Sequence, residues 1–156
     1  MIDYRQVMKF EKKNVEKFLE DFDINYERDV DYTLVALDGD KIIGTGSCAG
    51  RVLKCFAIDP AYQGMGITNS IITRLLDHQY EIGNNHLFIF TKPKNIKIFT
   101  DFGFSLVENT EDVALLDNKI EELHKLLKNI EDQRESSAIV INANPMTKGH
   151  LYLINE

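Results

Sequence analysis

The sequence predicts a mixed α/β fold in which antiparallel strands lead into a strand–helix–strand unit. Short apolar segments separated by glycine-bearing turns occupy residues 31–59, as expected for neighbouring strands. A nearly continuous apolar run at residues 86–91 indicates a buried strand, parallel to the one that precedes the helix. Between these segments, apolar residues share one face of a predicted helix: Ile67, Ile71, Ile72, Leu75 and Leu76.

The composition is that of a globular domain with an acidic balance. The chain has 156 residues, 44% apolar and 28% charged, which is enough to bury a core of ordinary size. Its net charge of −7 argues against a nucleic-acid partner, because phosphate backbones require clustered Lys and Arg. No apolar stretch of about 18 residues exists, so no membrane span is expected. The N-terminus lacks a signal-peptide pattern, so we expect a cytoplasmic protein, and two cysteines without a C-x-x-C pair argue against a zinc site.

The N-terminal third is predicted to contain one helix and three antiparallel strands. Apolar residues at helical spacing over residues 14–22 indicate an amphipathic helix, and we expect the whole apolar stripe from Met8 to Phe22 to lie in the core. Strands are predicted at residues 31–37, 41–48 and 51–59, with a hairpin turn at Asp38-Gly39-Asp40. Glycines inside the second strand indicate a bulge or a close backbone approach.

After the long helix, the pattern predicts a right-handed strand–helix–strand crossover followed by a closing pair of strands. A stop signal at residues 83–85 ends the helix, and the buried strand at 86–91 follows. A short helix is predicted over residues 95–102, ended by Gly103. The closing strands are predicted at 104–107 and 112–116.

The last part of the chain changes character and predicts the opening of a second domain. Apolar residues step by three and four through a charged segment at 118–132, which indicates an amphipathic connecting helix. A buried-strand run at 138–141 and a helix starting at 151 follow. The predicted division is therefore 1–117 for the first domain, 118–135 for a helical connector and 136–156 for the start of a truncated second domain.

The chain is organised around the turn between the third predicted strand and the long helix. Gly64 and Gly66 allow a ligand to approach the backbone closely, because no Cβ stands in the way. The first N–H groups of the helix have no partner inside it, and the helix dipole favours an anion there, typically a phosphate. No acidic residue lies between Gln63 and Thr68. The alternative is a tight packing turn without a ligand.

Two segments of the first domain resemble the GNAT acetyltransferase family. The acyl-CoA signature of that family appears as Gln63-x-x-Gly66-x-Thr68, which departs at Thr68 where Gly or Ala is usual. A later family segment appears as Asn95…Phe99-x-x-x-Gly103-Phe104. The resemblance implies a GNAT acyl-CoA N-acyltransferase-like fold, a mixed central sheet with a βαβ core that binds coenzyme A (CoA) or a phosphopantetheine arm. The implied binding residues are Phe56, Ala57, Ile58, Gln63, Gly64, Met65, Gly66, Ile67, Thr68 and Asn95.

Phe99 is the informative departure from the GNAT pattern. Many enzymes of that family place a tyrosine there as the acid for the leaving thiolate, and a phenyl ring has no proton to give. The strand at 51–58 contains no Asp or Glu that would act as a base. Tyr62 and Asp59 are expected to shape the turn. We therefore assign no catalytic residue in this domain, and the pattern favours binding of a thiol carrier over ordinary N-acetylation.

The tail resembles the Thr/His-x-Gly-His signature of nucleotidyltransferases, which follows a first buried strand. The resemblance implies an incomplete ATP site whose members are Asn144, Thr147, Gly149 and His150. In that family such residues contact ATP phosphates and stabilise charge as pyrophosphate leaves. The alternative is a proline turn with a helix-capping threonine.

The combination of both patterns resembles the citrate lyase ligase family, in the stretches 53–58, 85–92 and 142–150. The resemblance implies use of ATP and acetate to acetylate the prosthetic-group thiol on the acyl-carrier subunit of citrate lyase. That thiol ends an arm derived from dephospho-CoA, which a CoA-type cleft would receive. Two alternatives are a stand-alone acetyl-CoA-dependent GNAT N-acetyltransferase and a non-catalytic docking module for an acyl carrier protein.

Other polar residues near the predicted site receive structural interpretations. Cys55 is expected to be a small buried hydrophobe, because nothing nearby in the sequence would lower its pKa. Lys54 alternates with Phe56, and we expect it on an exposed face. Lys92 and Lys94 flank the expected cleft, where they would meet a phosphate. The histidines are interpreted as structural or solvated: His78, His86 and His124.

Overall fold

The structure is a computed structural model that describes residues 1–130 and Lys148. The predicted strand at 138–141, the ATP-site residues at 144–150 and the helix at 151–156 therefore lie outside the described residues, Lys148 excepted. The strands are β1 (Ile2–Gln6), β2 (Tyr32–Asp38), β3 (Lys41–Ala49), β4 (Val52–Ile58), β5 (Phe88–Thr91), β6 (Ser105–Asn109) and β7 (Ala114–Asp117). The helices are α1 (Lys12–Glu20), α2 (Ile67–Glu81), α3 (Ile96–Thr100) and α4 (Ile120–Ile130).

The seven described strands form one mixed sheet in the order β1-β2-β3-β4-β5-β7-β6. Strands β4 and β5 pair in parallel, and every other neighbouring pair is antiparallel. Helix α2 connects the two parallel strands, which confirms the predicted strand–helix–strand unit. Strand β7 lies between β5 and β6, so the closing hairpin extends the sheet beyond the parallel pair.

The parallel pair is short, and this positions the site. Among residues 1–130, β4 and β5 pair only at Val52 with Phe88 and at Leu53 with Ile89. Strand β4 continues to Ile58 and β5 to Thr91 without further pairing between them. The strands therefore diverge toward their C-terminal ends, and beyond Leu53 no strand of the described part of the chain pairs with the β5-facing backbone edge of β4.

The larger core lies between the sheet and helices α2 and α3. The apolar face of α2 is fully buried there, as the helical spacing predicts. Glycines in β3 permit the close approach: a Cβ on Gly46 would lie 2.7 Å from Ile71 Cγ2 and 2.9 Å from Leu75 Cδ1. The expected close backbone approach in this strand is therefore confirmed, and its partner is α2.

The opposite face of the sheet is covered by α1, and here one expectation is wrong. Val15 and Leu19 are fully buried against β2 and β4 residues such as Val35. Met8 and Phe10, however, are exposed, Phe10 by 79%. They lie in and before a 3-10 turn ahead of α1, where helical periodicity no longer orients side chains toward the sheet.

The sequence analysis missed strand β1. It pairs with β2 from Ile2–Asp38 to Gln6–Leu34, so four strands rather than three precede the glycine turn. The burial of its five residues does not alternate strictly, because the neighbouring residues Tyr4 and Arg5 are both partly buried. A five-residue strand carries a weak periodic signal, because it holds only about two repeats of the two-residue alternation.

Two of the histidines have structural contacts. The ring of His78 stacks on Tyr32 with centroids 3.7 Å apart. His86 Nε2 lies 2.9 Å from Oδ1 of Asp117, a fully buried carboxylate that also accepts the Lys119 N–H at 2.6 Å. The expectation of structural roles holds for both residues.

The chain divides into two units, Met1–Leu123 and His124–Glu156, and the sheet belongs entirely to the first. The helix predicted over 118–132 is present as α4. The predicted domain division at residues 117 and 135 stays a prediction. Within residues 1–130, no helix has the length and apolarity needed to cross a bilayer.

Candidate functional site

The divergence of β4 and β5 creates a cleft of about 1200 Å³. Its floor is the free edge of β4, and its far side is the segment from Phe90 to Asn95. Most of the predicted binding residues line it: Phe56, Ala57, Ile58, Gln63, Gly64, Thr68 and Asn95. The structure thus brings together residues that are up to 39 positions apart in the sequence. Met65, Gly66 and Ile67 do not line the cleft, and the Ile67 side chain is buried in the core.

The glycine turn presents open backbone at one end of the cleft. Gly64 and Gly66 have φ of +81° and +73°, in the left-handed region that disfavours residues with a Cβ. A Cβ built on either glycine would meet nothing within 4 Å, so the backbone there is accessible. Gly66 is the N-cap of α2, and its carbonyl accepts from Ser70 N at 3.0 Å. The N–H groups that come before Ser70 in the first turn have no carbonyl partner inside the helix. Such donors, at the positive end of the helix dipole, are what an anion site requires.

Side chains around the turn fix its shape. The Asp59 carboxylate accepts from Ala61 N at 2.9 Å and from the Lys41 ammonium at 2.6 Å. These contacts, Lys41 first, lower the pKa of Asp59. The Tyr62 hydroxyl donates to Asp38 at 2.8 Å, and that hydrogen bond raises the pKa of Tyr62. Both residues shape the turn, as expected from the sequence.

The segment between α1 and β2 forms one wall of the cleft. Residues Phe22 to Asn25 and Glu27 line it. The ammonium of Lys92, the residue after β5, donates to the Phe22 carbonyl at 2.9 Å and so links the far side of the cleft to this wall. On the other side, Asn95 Nδ2 donates to Thr91 Oγ1 at 3.0 Å. Lys92 is therefore engaged with the protein, while Lys94 also lines the cleft.

Lys54 corrects the expectation of an exposed face. It is only 8% exposed, and its ammonium lies 2.7 Å from Glu27 Oε2 and 3.0 Å from Asp29 Oδ1. Burial disfavours the ammonium, but the hydrogen bonds to Glu27 and Asp29 outweigh it, so the pKa of Lys54 is raised. The segment between α1 and β2 folds over Lys54 and buries it. The alternation of residues along a strand cannot predict such a contact.

Cys55 lies in the cleft floor as a protonated thiol. It has a φ of +57°, beside a register shift between β3 and β4, which marks a β-bulge. Burial raises the pKa of its thiol to about 11, and its Sγ faces the Asn25 carbonyl at 3.7 Å. The thiol is therefore un-ionised at neutral pH, in agreement with the expected role of a small buried hydrophobe.

Phe99 lines the cleft from α3 and brings no acid into it. The residue is 1% exposed, and its ring packs against Phe56 with centroids 4.9 Å apart. The carboxylates that do line the cleft come from its rims rather than from β4: Asp23, Glu27, Glu111 and Asp112. The cleft therefore contains carboxylates, although β4 has none, and they come from the two loops between α1 and β2 and between β6 and β7.

Sequence reasoning missed the rim residues because their segments have no periodic pattern. Residues 23–29 and 111–113 are irregular, so no spacing orients their side chains. The one available signal was Lys54, a lone charge within an apolar strand. A buried charge needs a partner, and this requirement predicts acidic residues nearby without saying which ones.

The sequence of the first unit matches the family model described as Acetyltransferase (GNAT) domain over residues 2–116. The chain belongs to the GNAT acetyltransferase family. The matched region contains all seven described strands except the last residue of β7. The diverging parallel strands and the glycine turn therefore belong to a GNAT acyl-CoA N-acyltransferase fold, as the resemblance implied.

This GNAT chain is homologous to the N-terminal GNAT region of citrate lyase ligases. It is 36% identical over 150 residues to the [citrate [pro-3S]-lyase] ligase of Klebsiella pneumoniae, covering 93% of this chain and 44% of that protein. The ligase of Escherichia coli K12 is 31% identical over 147 residues, covering 91% of this chain and 42% of that protein. The chain thus spans less than half the length of these curated relatives.

Solved structures of other proteins share the fold at low sequence identity. Escherichia coli ElaA superimposes with a TM-score of 0.64 at 9% identity, covering 75% of this chain and 99% of that one. Arabidopsis thaliana Naa50, solved in complex with the bisubstrate analogue CoA-Ac-MVNAL, gives 0.63 at 16% identity, covering 74% and 97%. At these identities the likeness establishes the fold alone.

Proposed function

We propose that the cleft binds the phosphopantetheine arm of CoA, dephospho-CoA or an acyl carrier, with the phosphate at the glycine turn. The observation that carries this proposal is that the edge of β4 left unpaired among the described residues lines the same cleft as the open backbone at Gly64. Phosphopantetheine contains amide groups, and an unpaired strand edge offers matching N–H and C=O groups. The arm would lie between β4 and β5 like an additional strand.

The residues present fit such a ligand. The turn offers main-chain donors to a phosphate, no carboxylate lies between Gln63 and Thr68, and Lys94 lines the same cleft. The middle of the cleft is apolar, where Phe56, Ile98 and Phe99 would surround the uncharged part of the arm. Asn95, tied to Thr91, would border its path.

For a protein with the full length of these relatives, we propose the reaction of citrate lyase ligase: ATP and acetate are used to acetylate the thiol of the citrate lyase acyl-carrier subunit. The homology and the names of the relatives support this assignment. The ATP-site residues proposed from the sequence are Asn144, Thr147, Gly149 and His150, which lie outside the described residues. The GNAT region would supply the binding site for the carrier arm.

The chemistry assigned to this region is binding and orientation. The arm, when bound, supplies the thiol that accepts the acetyl group. The Cys55 thiol, with its pKa raised to about 11, is held as a neutral group and is not the acceptor. Phe99 and Phe56 exclude water from the apolar part of the cleft, which would protect a thioester from hydrolysis.

Isothermal titration calorimetry with dephospho-CoA, CoA and ATP against the chain tests this proposal. We expect dephospho-CoA and CoA to bind with similar affinity, because the proposed contacts of the β4 edge and the glycine turn are to the phosphopantetheine arm, which both molecules contain. ATP, which lacks the arm, should bind at least tenfold more weakly. If dephospho-CoA fails to bind, the proposed function is wrong.

The alternative of a stand-alone N-acetyltransferase is favoured by one observation, the rim carboxylates Glu111 and Asp112 in the cleft. Such groups would attract a cationic amine. Incubation with acetyl-CoA and a mixture of primary amines distinguishes the two functions. Release of free CoA that depends on an amine would support the alternative, whereas acetyl-CoA binding without turnover supports the carrier-arm site.

A further inference from the structure

Lys54 and Glu27 line the cleft and form an ion-paired cluster with Asp29, in which the carboxylate side chains are 56% and 61% exposed. The Lys54 ammonium donates to Glu27 at 2.7 Å and to both Asp29 carboxylate oxygens at 3.0 Å. Lys54 follows Leu53, the last β4 residue that pairs with β5, while both carboxylates come from the segment between α1 and β2. The cluster therefore joins the wall of the cleft to its floor where the strands begin to diverge.

A second, smaller cavity adjoins this cluster. It has a volume of about 260 Å³ and is lined by Glu27, Asp29, Ala49, Val52, Lys54 and Phe90. Lys54, Glu27 and Phe90 also line the large cleft. The two spaces share these side chains, so the ion-paired cluster forms part of the partition between them.

The direction of the proposed ligand brings its acyl group to this partition. Strand β4 ends at Ile58, and a phosphate bound at the glycine turn would lie beyond that end of the strand. Lys54 is four residues earlier, on the far side of the bulge at Cys55, and so at most about 13 Å back along the strand. An arm anchored at the turn and running along β4 therefore places its thiol and acyl group near the inner end of the cleft.

We propose that Lys54, with Glu27 and Asp29, determines acyl-chain specificity by restricting the cleft to short groups such as acetyl. This inference rests on the proposed binding of the phosphopantetheine arm. A longer chain would have to separate Lys54 from its carboxylates and leave an 8% exposed ammonium unpaired. Without the Lys54 side chain, the cleft opens into the smaller cavity, where Phe90 and Val52 offer apolar surface.

The test compares the affinities of acetyl-CoA and hexanoyl-CoA for wild type, Lys54→Ala and Lys54→Arg by calorimetry. Wild type should prefer acetyl-CoA. In Lys54→Ala the ratio of the two affinities should shift by about tenfold or more toward hexanoyl-CoA, as burial of two methylene groups would produce. Lys54→Arg retains the ion pairs and should retain the wild-type ratio. A purely structural role would instead weaken both ligands equally.

Two further variants keep the result interpretable. Glu11→Gln removes the Arg5–Glu11 ion pair of 2.6 Å, which does not line the cleft, and should leave the ratio unchanged. If circular dichroism shows that Lys54→Ala is unfolded, Glu27→Ala combined with Asp29→Ala opens the partition from the wall side and should give the same shift. An unchanged ratio in a folded variant overturns the inference. Failure of wild type to bind either ligand overturns the proposed function and this inference together.

Discussion

Individual glycines have two opposite functions in this protein. The β3 positions of Gly44 and Gly46 have no room for a side chain, because α2 packs directly on them. Gly64 and Gly66 face open space and have positive φ, so their requirement is a backbone conformation rather than room. The proposed phosphate site depends on Gly64 and Gly66, because their backbone adopts a positive φ and no side chain covers their N–H groups.

Replacement of Gly64 separates the conformational cost from the loss of binding. Gly64→Ala should destabilise the fold by about 1–2 kcal/mol, the cost of a Cβ at positive φ. Gly83→Ala is a matched control, because its φ of +86° is close to the +81° of Gly64 and it also faces open space. Thermal unfolding should give similar losses for both variants. Calorimetry should show weaker dephospho-CoA binding only for Gly64→Ala, and equal weakening would contradict the site.

The buried thiols predict a loss of stability at alkaline pH. Burial raises the pKa of Cys48 to about 12 and that of Cys55 to about 11. An unfolded thiol ionises near pH 8.5–9, so above that pH the unfolded state releases protons that the folded state retains. Stability is therefore fully present below about pH 8.5 and falls as pH rises, by roughly 2 kcal/mol per thiol between pH 9 and pH 11.

Urea unfolding across this pH range measures the effect. Cys48→Ala should be less stable at pH 7, because it leaves a small cavity, but its stability should fall less steeply above pH 9. The comparison of slopes removes contributions from lysines and tyrosines, which both proteins share. Parallel slopes in the two proteins would show that the Cys48 thiol is not held neutral by burial.

At the scale of elements, the packing of α2 on β3 sets the position of the helix N-terminus. The helix lies close to the sheet because two β3 positions lack a side chain, and its first turn begins directly at the glycine turn. The Phe56 side chain of β4 packs at the same contact, since its Cε1 lies 2.9 Å from a Cβ built on Gly46. Any displacement of α2 would therefore also move the cleft floor.

Gly46→Ala should destabilise the protein by about 1–3 kcal/mol, the usual cost of an extra methyl group in a packed core. The new Cβ would lie 2.7 Å from Ile71 Cγ2, so Ile71→Leu, which lacks that methyl group, should recover part of the loss. Urea midpoints of the two single variants and the double variant measure this coupling. Strictly additive effects would mean that Ile71 is not the limiting contact.

At the scale of the whole molecule, the cleft residues and the proposed ATP-site residues occupy different parts of the sequence. The cleft residues lie between Phe22 and Val113, whereas the proposed ATP-site residues begin at Asn144. The chain spans 44% of the Klebsiella pneumoniae ligase, so the ligase activity is proposed for a protein of that full length.

The 156-residue chain is therefore expected to bind dephospho-CoA without releasing pyrophosphate from ATP and acetate. The reason is that four residues of a nucleotidyltransferase signature do not by themselves enclose a nucleotide. A coupled pyrophosphate assay, with a full-length citrate lyase ligase as positive control, measures this. Turnover of ATP by the chain alone would show that the two activities are not separable in this way.

Several features of the fold were predictable because their signals are local. The spacing of Ile67 to Leu76 predicted α2 and its buried face, and Gly64 and Gly66 marked the turn before it. Strand β1 and the exposure of Phe10 were not predicted, because a short edge strand and a 3-10 turn impose little periodicity. The family resemblance identified the binding segments but not the geometry between them.

The sequence by itself determined the order of the elements, the strand–helix–strand unit and the glycines at its turn, since periodicity and turn chemistry act between near neighbours. Only the tertiary structure decided where β4 and β5 diverge, which loops form the walls of the cleft, and that Lys54 is buried against Glu27 and Asp29. These features join residues more than 20 positions apart. Their partners are selected by the three-dimensional packing of the chain, which no local pattern encodes.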